Sequence, residues 1–179
     1  MANDTTISRI DLSDAKCFKA EYENHFTALK YFAMRYLPDE EKVCDLLQDI
    51  FVRLWERGEV FENEKVFKVY LYRAVRNNCL THIRDSKRRE AGMSVYETRE
   101  TEESFIHSMI ESEVFGLINA VFEELPPASR QVYLCSLEGK SHKEIAEELH
   151  IAVNTIKKHK NNANHYLRER LKKLLTLFF

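Results

Sequence analysis

Apolar residues recur at helical spacing in run after run of this 179-residue chain, and only four glycines and three prolines stand in their way. A chain with so few turn-makers has little means of building hairpins. Its long segments rich in Leu, Glu, Lys, Arg and Ala favour helix, so the fold class is read as all-α. The clearest run is Val43, Leu46, Leu47, Ile50, Phe51, Leu54 and Trp55, which keeps the i, i+3, i+4, i+7 series of one buried helical face unbroken. Asp39 is a capping residue in front of it, and Gly58 behind it is suited to a left-handed stop.

The same reading divides the rest of the chain. Residues 1–16 are polar without a period and are expected to be a disordered tail. An earlier helix carries Phe18, Tyr22, Phe26, Leu29, Phe32 and Tyr36. A third, after a polar loop at 57–65, carries Val66, Phe67, Tyr70, Leu71, Ala74, Val75, Cys79 and Ile83. These close a first domain at 17–89. Residues 90–105 lack periodicity and are read as a flexible acidic linker. A second small helical domain is expected at 106–179, where helical order returns with Ile106, Met109, Ile110, Val114, Phe115, Ile118, Val121, Phe122 and Leu125, followed by a helix with Val132, Tyr133 and Leu137 inward, and a last helix running through Leu167 and Leu171 to an apolar end at Leu177, Phe178 and Phe179.

The segment from Ser141 to Lys160 reads as a helix-turn-helix. Ser141 and Glu144 stand at capping-box spacing, Ile145, Ala146 and Leu149 form one buried face, and His150-Ile151-Ala152 makes a tight connection. From Val153 a second helix turns Val153, Ile156, Ala163 and Leu167 inward and Asn154, Thr155, Lys157, Lys158, Asn161 and Asn162 outward. The outward residues are of the types that read base edges and bind phosphate. A plain helical hairpin with a solvated Lys/Asn face is the bland alternative.

Charge supports nucleic acid as a partner, although the net charge is only −2. Residues 65–89 hold eight Lys/Arg against one Asp, residues 149–173 hold seven against one Glu, and residues 90–125 hold nine Glu against one Arg. Two basic blocks around an acidic one suggest two modules that face nucleic acid. In the first block Phe67, Tyr70 and Tyr72 lie among Lys65, Lys68, Arg73, Arg76 and Arg84, a mixture that suits an unpaired strand. Core packing explains Phe67 and Tyr70 equally well.

Catalysis finds no footing. No G-x-S-x-G, Gly-rich phosphate loop or H-E-x-x-H is present, and the lone Glu147/His150 pair lacks the second pair that a di-metal bundle needs. No cofactor is expected. Cys17, Cys44, Cys79 and Cys135 are dispersed and read as small apolar residues in a reducing compartment. No leader pattern or apolar stretch of membrane-spanning length is evident, so the chain is expected to be cytoplasmic and not itself a membrane protein.

Three blocks in order resemble the extracytoplasmic-function branch of the sigma-70 family of bacterial transcription initiation factors. Asp45-Leu46-Leu47-Gln48-Asp49-Ile50-Phe51-Val52-Arg53-Leu54-Trp55 is similar to the family's region 2.2. Phe67-Lys68-Val69-Tyr70-Leu71-Tyr72-Arg73-Ala74-Val75-Arg76-Asn77-Asn78-Cys79-Leu80 resembles regions 2.3 and 2.4, in the style of the expanded Bacteroides-type set. Leu125-Pro126-Pro127 followed by the helix-turn-helix resembles region 4. The resemblance implies that Asp45, Gln48, Asp49 and Arg53 dock on the beta-prime clamp helices of core RNA polymerase, with Phe51 and Trp55 mainly as core beneath. It implies that Glu62 and Asn63 read the −10 element while Lys68, Arg73 and Arg76 hold its phosphates. It places Asn154, Thr155, Lys157, Lys158 and Asn161 in the major groove of the −35 element. The beta subunit and an anti-sigma factor, often membrane-anchored, are further implied partners. Two positions depart from the family pattern: Ala152 stands where a capping Ser is common, and His150 where the turn commonly has Gly. A helix-turn-helix regulator with an N-terminal sensing or dimerising domain is the alternative, but it leaves the polar face at 45–56 and the first basic block unexplained.

Overall fold

The computed structural model describes residues 9–91 and 101–178, with side chains for 9–88 and 101–173. Within them the chain is almost entirely helical: β1 Ile10–Asp11, α1 Ala15–Ala33, α2 Glu40–Arg57, β2 Val60–Phe61, α3 Glu64–Ala91, α4 Glu102–Glu123, α5 Pro127–Leu137, α6 His142–Leu149 and α7 Val153–Phe178. The expected linker core at 92–100, the residues before Arg9 and the apolar side chains from Leu174 onward lie outside the described residues. Two compact units emerge, one ending at Gly116 and the other beginning at Leu117, so that α4 contributes to both.

In the N-terminal unit the ends of α2 form as its sequence predicts. The Asp39 carboxylate accepts from the Lys42 amide at 3.3 Å, and Gly58 closes the helix at φ 56°. The Asp14 carboxylate likewise caps α1 through the Cys17 amide at 2.8 Å. Helices α1, α2 and α3 bury Leu29, Phe32, Leu47, Phe51, Leu71, Tyr72 and Val75 in a common core. Each such side chain contributes roughly 1.5–3 kcal/mol by leaving water. The core also takes in Ile10 and Leu12, which corrects the expectation of a loose tail through residue 16. Ile10 pairs with Phe61 and Asp11 with Val60 in a two-residue antiparallel ribbon, and the Leu12 amide donates to the Glu59 carbonyl at 3.0 Å.

A second correction concerns α4. Helix begins at Glu102, not after 105, and residues 102–116 belong to the N-terminal unit. The face that α4 buries there is Phe105, Ser108 and Ser112; of the apolar series read from the sequence, Ile106, Ile110, Val114 and Ile118 are 43–55% exposed, whereas Val121 and Leu125 are buried. Ser108, Ser112 and Gly116 recur every four residues and make a seam of small side chains. A Cβ added at Gly116 would stand 3.0 Å from that of Ala28 on α1, so backbone approach at this point is close. Beside the seam the rings of Tyr31 and Phe115 stack 4.0 Å apart. The apolar stripe also gives α4 the length and composition of a membrane-spanning helix, contrary to the expectation that no stretch of the chain has them. Its acidic side chains within that stretch are instead committed to ion pairs: Glu111 with Arg35 at 2.5 Å and Glu113 with Lys68 at 2.8 Å.

In the C-terminal unit, α5, α6 and α7 close on Val132, Cys135, Ile145 and Ile156, with Ala146, Leu149 and Ile151 packed around them. The predicted capping box is present: the Ser141 amide donates to Glu144 Oε2 at 2.7 Å and the Glu144 amide donates to Ser141 Oγ at 3.3 Å. Leu137, expected inward, is 70% exposed at the last turn of α5. Ser129 Oγ and His159 Nδ1 lie 2.9 Å apart and tie α5 to α7. Glu124 takes both arms of the Arg170 guanidinium, at 2.6 and 2.7 Å, and a hydrogen bond from the Tyr166 hydroxyl at 2.6 Å.

Candidate nucleic-acid interface

Three surfaces carry the residues singled out from the sequence. The first is the outer face of α2, where Asp45, Gln48, Asp49 and Arg53 are all exposed. At 100° per residue these four fall within one sector of the helix, and Asp49 and Arg53 stand 3.8 Å apart as an i, i+4 pair. The sector is not purely polar. Val52 is 49% and Trp55 38% exposed, and with Ala15 and Phe18 of α1 they line a shallow apolar groove beside the charges. Trp55 is therefore not core, as expected, but an edge of this surface; its ring meets Phe18 edge-on at 4.9 Å, while Phe51 beneath is 1% exposed. The sequence pattern hid this because Trp55 continues the apolar series of α2 onto the margin of its buried stripe.

The second surface is the loop before α3 and the outward side of that helix. Glu62 is exposed, whereas Asn63 is half-buried and caps α3, its Oδ1 accepting from the Val66 amide at 3.0 Å. That carbonyl oxygen is committed to the helix, so Asn63 is a cap as well as a loop residue. Among the aromatics, Phe67 and Tyr72 are fully buried, and the Tyr72 ring meets Phe32 edge-on at 4.9 Å. Burial pushes the Tyr72 hydroxyl well above the ordinary phenol value, and the Glu113 carboxylate that accepts its hydrogen bond at 2.8 Å pushes it further. Tyr70 alone of the three is open, 37% exposed and braced by the Phe61 ring at 5.1 Å. It shares a groove with Val66, Val69, Arg73, Ala74, Asn77 and Asn78. An aromatic face, a guanidinium and two amides on one open groove can stack a base, hold a phosphate and reach a base edge.

The α3 cations are not spread along this face as free charges. Lys68 lies between Glu64 at 3.1 Å and Glu113 at 2.8 Å. Burial pulls its pKa down, but the hydrogen bonds and charge of the two carboxylates outweigh this and hold it above the ordinary lysine value. Arg73 pairs with Glu102 at 3.0 Å, and the Arg76 guanidinium carbon stands 6.0 Å from the centroid of the Phe105 ring. Near Lys68, His25 is 4% exposed with Nε2 3.1 Å from Glu21, and burial lowers its pKa against the opposing carboxylates.

The third surface is α7. Asn154, Lys157, Lys158 and Asn161 are exposed and fall on one side of the helix, opposite the buried Ile156 and Ala163, with Asn162 alongside. Thr155 sits at the margin, half-buried, its amide donating to the Ala152 carbonyl at 2.9 Å. The same side continues through His165 and Arg168, both exposed, which are absent from the expected set although their spacing from Asn154, Lys158 and Asn161 follows the helical period. Helix α6 leads in through His150, which takes a left-handed conformation at φ 53° within the tight connection that the sequence predicts. A short helix, a tight turn and a longer helix with a polar amide and lysine face form the arrangement that places a recognition helix in a DNA major groove.

Comparison with known proteins places the chain in one family. A sequence model of sigma-70 region 2 matches residues 22–89, and one of sigma-70 region 4 matches residues 115–163. The chain is similar to the ECF RNA polymerase sigma-E factor of Haemophilus influenzae, 22% identical over 98% of each chain. It is also similar to the sigma-E factor of Escherichia coli K12, 22% identical over 88% of this chain and 87% of that one. Among solved structures it resembles CnrH in complex with the cytosolic domain of CnrY, at 21% identity, 90% coverage of this chain and 96% of the other, and a TM-score of 0.32. It also resembles the sigma factor RpoE of Bartonella quintana in complex with the anti-sigma factor NepR, at 22% identity, 88% and 98% coverage, and a TM-score of 0.35. With region 2 and region 4 matched in order across more than half its length, the chain belongs to the sigma-70 family of transcription initiation factors, in the extracytoplasmic-function branch.

Proposed function

We propose that this factor gives core RNA polymerase its promoter specificity from the cytoplasm through three separate contacts. The α2 sector of Asp45, Gln48, Asp49 and Arg53, with Val52 and Trp55 beside it, docks on the beta-prime clamp helices. The loop at Glu62 and Asn63 and the Tyr70 groove take bases of the opened −10 strand, while Lys68, Arg73 and Arg76 serve its phosphates. Asn154, Thr155, Lys157, Lys158 and Asn161 read the −35 duplex, aided by His165 and Arg168. The beta subunit and an anti-sigma factor complete the partner set.

The observation that carries this reading is the pairing of unlike sites. One unit presents an open aromatic groove and a mixed polar and apolar helix face, and the other presents a helix-turn-helix. An unpaired strand needs stacking surfaces and a duplex needs a groove-filling helix, so a chain with one of each suits an enzyme that must grip and open the same promoter.

Adding the chain to core RNA polymerase with a library of genomic fragments should produce new discrete transcript starts; their absence would overturn the reading. Asp49→Lys should weaken core binding by about tenfold, the scale of one docking charge pair reversed. Binding of the same variant to duplex carrying the upstream element should not change. Equal loss of both would contradict the separation of contacts.

A further inference from the structure

All three cations proposed for the −10 strand are engaged by residues 102–113 of α4. Glu113 holds Lys68 at 2.8 Å, Glu102 holds Arg73 at 3.0 Å, and Phe105 lies under Arg76 at 6.0 Å. Carboxylate and phosphate oxygens compete for the same charge and N–H donors, so a strand phosphate at Lys68 or Arg73 meets the repulsion of the α4 carboxylate already there and gains when that carboxylate is withdrawn. Contacts that need no charge keep α4 in position: Phe105 is 4% exposed, Tyr31 stacks on Phe115, and the small seam of Ser108, Ser112 and Gly116 approaches α1 at Ala28. Arg35, on α1, adds its pair with Glu111 at 2.5 Å.

We infer that residues 102–116 are an acidic cover for the strand-binding face of α3, and that docking of this segment and binding of single-stranded DNA exclude one another. This rests on the assignment of Lys68, Arg73 and Arg76 to strand phosphates. The arrangement keeps the face occupied in the free protein. It yields when a strand is presented at high local concentration, as it is on a promoter already held by polymerase. Undocking gives up the Lys68, Arg73 and Arg35 pairs, the Tyr72 hydrogen bond to Glu113, the Phe105 contact and the Tyr31–Phe115 stack, while the α1–α3 residues Leu29, Phe32, Leu47, Phe51, Leu71 and Val75 keep their common core.

The test uses the full chain and a fluorescein-labelled single-stranded oligonucleotide of random sequence. Gly116→Leu drives a branched side chain against Ala28 and loosens α4 without altering charge. Glu102→Gln/Glu113→Gln removes the two ion pairs. Each should bind the oligonucleotide about five- to tenfold more tightly than the unaltered protein, the scale of one or two released pairs. The charge-matched Glu41→Gln/Glu56→Gln should gain less than about twofold at an ionic strength of about 0.1 M, where distant charges are screened.

Adding Lys68→Gln/Arg73→Gln to Gly116→Leu should abolish the gain. If the glutamine pair on α3 lowers affinity but Gly116→Leu matches the unaltered protein, the cover is refuted and the strand assignment stands. If the α3 pair has no effect in either background, the assignment itself fails. Hydrogen exchange on the unaltered protein gives a reading independent of any variant's folding: amides of residues 102–116 should exchange faster with saturating oligonucleotide, and unchanged exchange under demonstrated binding overturns the proposal.

Discussion

Replacing His150 with Gly should stabilise the helix-turn-helix. Among the described residues His150 is the one non-glycine with positive φ, at φ 53° and ψ 40°. In that region a Cβ crowds the following carbonyl, at a cost of about 1–2 kcal/mol. Glycine removes the crowding but gives the unfolded chain more freedom, which offsets about 0.5–1 kcal/mol. The His150 amide donates to the Ala146 carbonyl, a bond that glycine keeps, and the side chain is exposed. The net gain is therefore about 0.5–1 kcal/mol, and native-state hydrogen exchange across α6 and the first turns of α7 should slow by about two- to fivefold. His150→Val should do the reverse, because a branched Cβ fits the left-handed region worse than an imidazole. Exchange in His150→Gly as fast as in the unaltered protein, or faster, would show that imidazole contacts hold the turn and that backbone strain does not matter there.

Ala152→Ser should add to the same region. The Ala152 carbonyl accepts from the Ile156 amide at 3.2 Å, which places Ala152 at the cap of α7 without a side-chain acceptor. Serine should contribute about 1 kcal/mol and slow exchange in the first turn of α7 severalfold; an unchanged rate would mean that this helix end needs no cap. A pH effect is expected at the Glu124 clasp, where the hydrogen bonds from Arg170 and then Tyr166 hold the Glu124 carboxyl at about 2, below its ordinary 4.5. A lowered carboxyl pKa gives stability that is fully present above about 4.5 and is lost as pH falls toward 2. Acid titration of α7 helicity should therefore be shallower between these values in Glu124→Gln, and identical curves would remove Glu124 from the balance.

How far the fold could be read in advance depended on whether the deciding contacts were local. Helix α2 was legible in full, because Asp39, the apolar series from Val43 to Leu54 and Gly58 act within a few residues of one another. So were the Ser141–Glu144 box and the tight connection at His150. Helix α4 was legible as a helix but not in its orientation. Its larger apolar residues suggested one face, while the buried face was set by shape at Ala28 and by cations on α3. The partners Glu102 and Arg73 are 29 residues apart in sequence, and Glu113 and Tyr72 are 41 apart. Ile10 and Leu12 escaped notice because an alternation of so few residues carries no period. For the candidate interface, the residue types on α7 and the outer sector of α2 were apparent, whereas the open position of Tyr70, the margin position of Trp55 and the engagement of Lys68, Arg73 and Arg76 required tertiary structure.

Trp55 is the single tryptophan of the chain, and it stands partly exposed on the surface proposed to meet polymerase. Its indole is therefore a native reporter whose emission depends on whether that surface is wet. Docking on core enzyme would move the indole from water into an apolar contact and shift its emission toward the blue. The protein thus carries its own optical signal for the proposed first step of holoenzyme assembly, with no label attached to either face proposed to bind DNA.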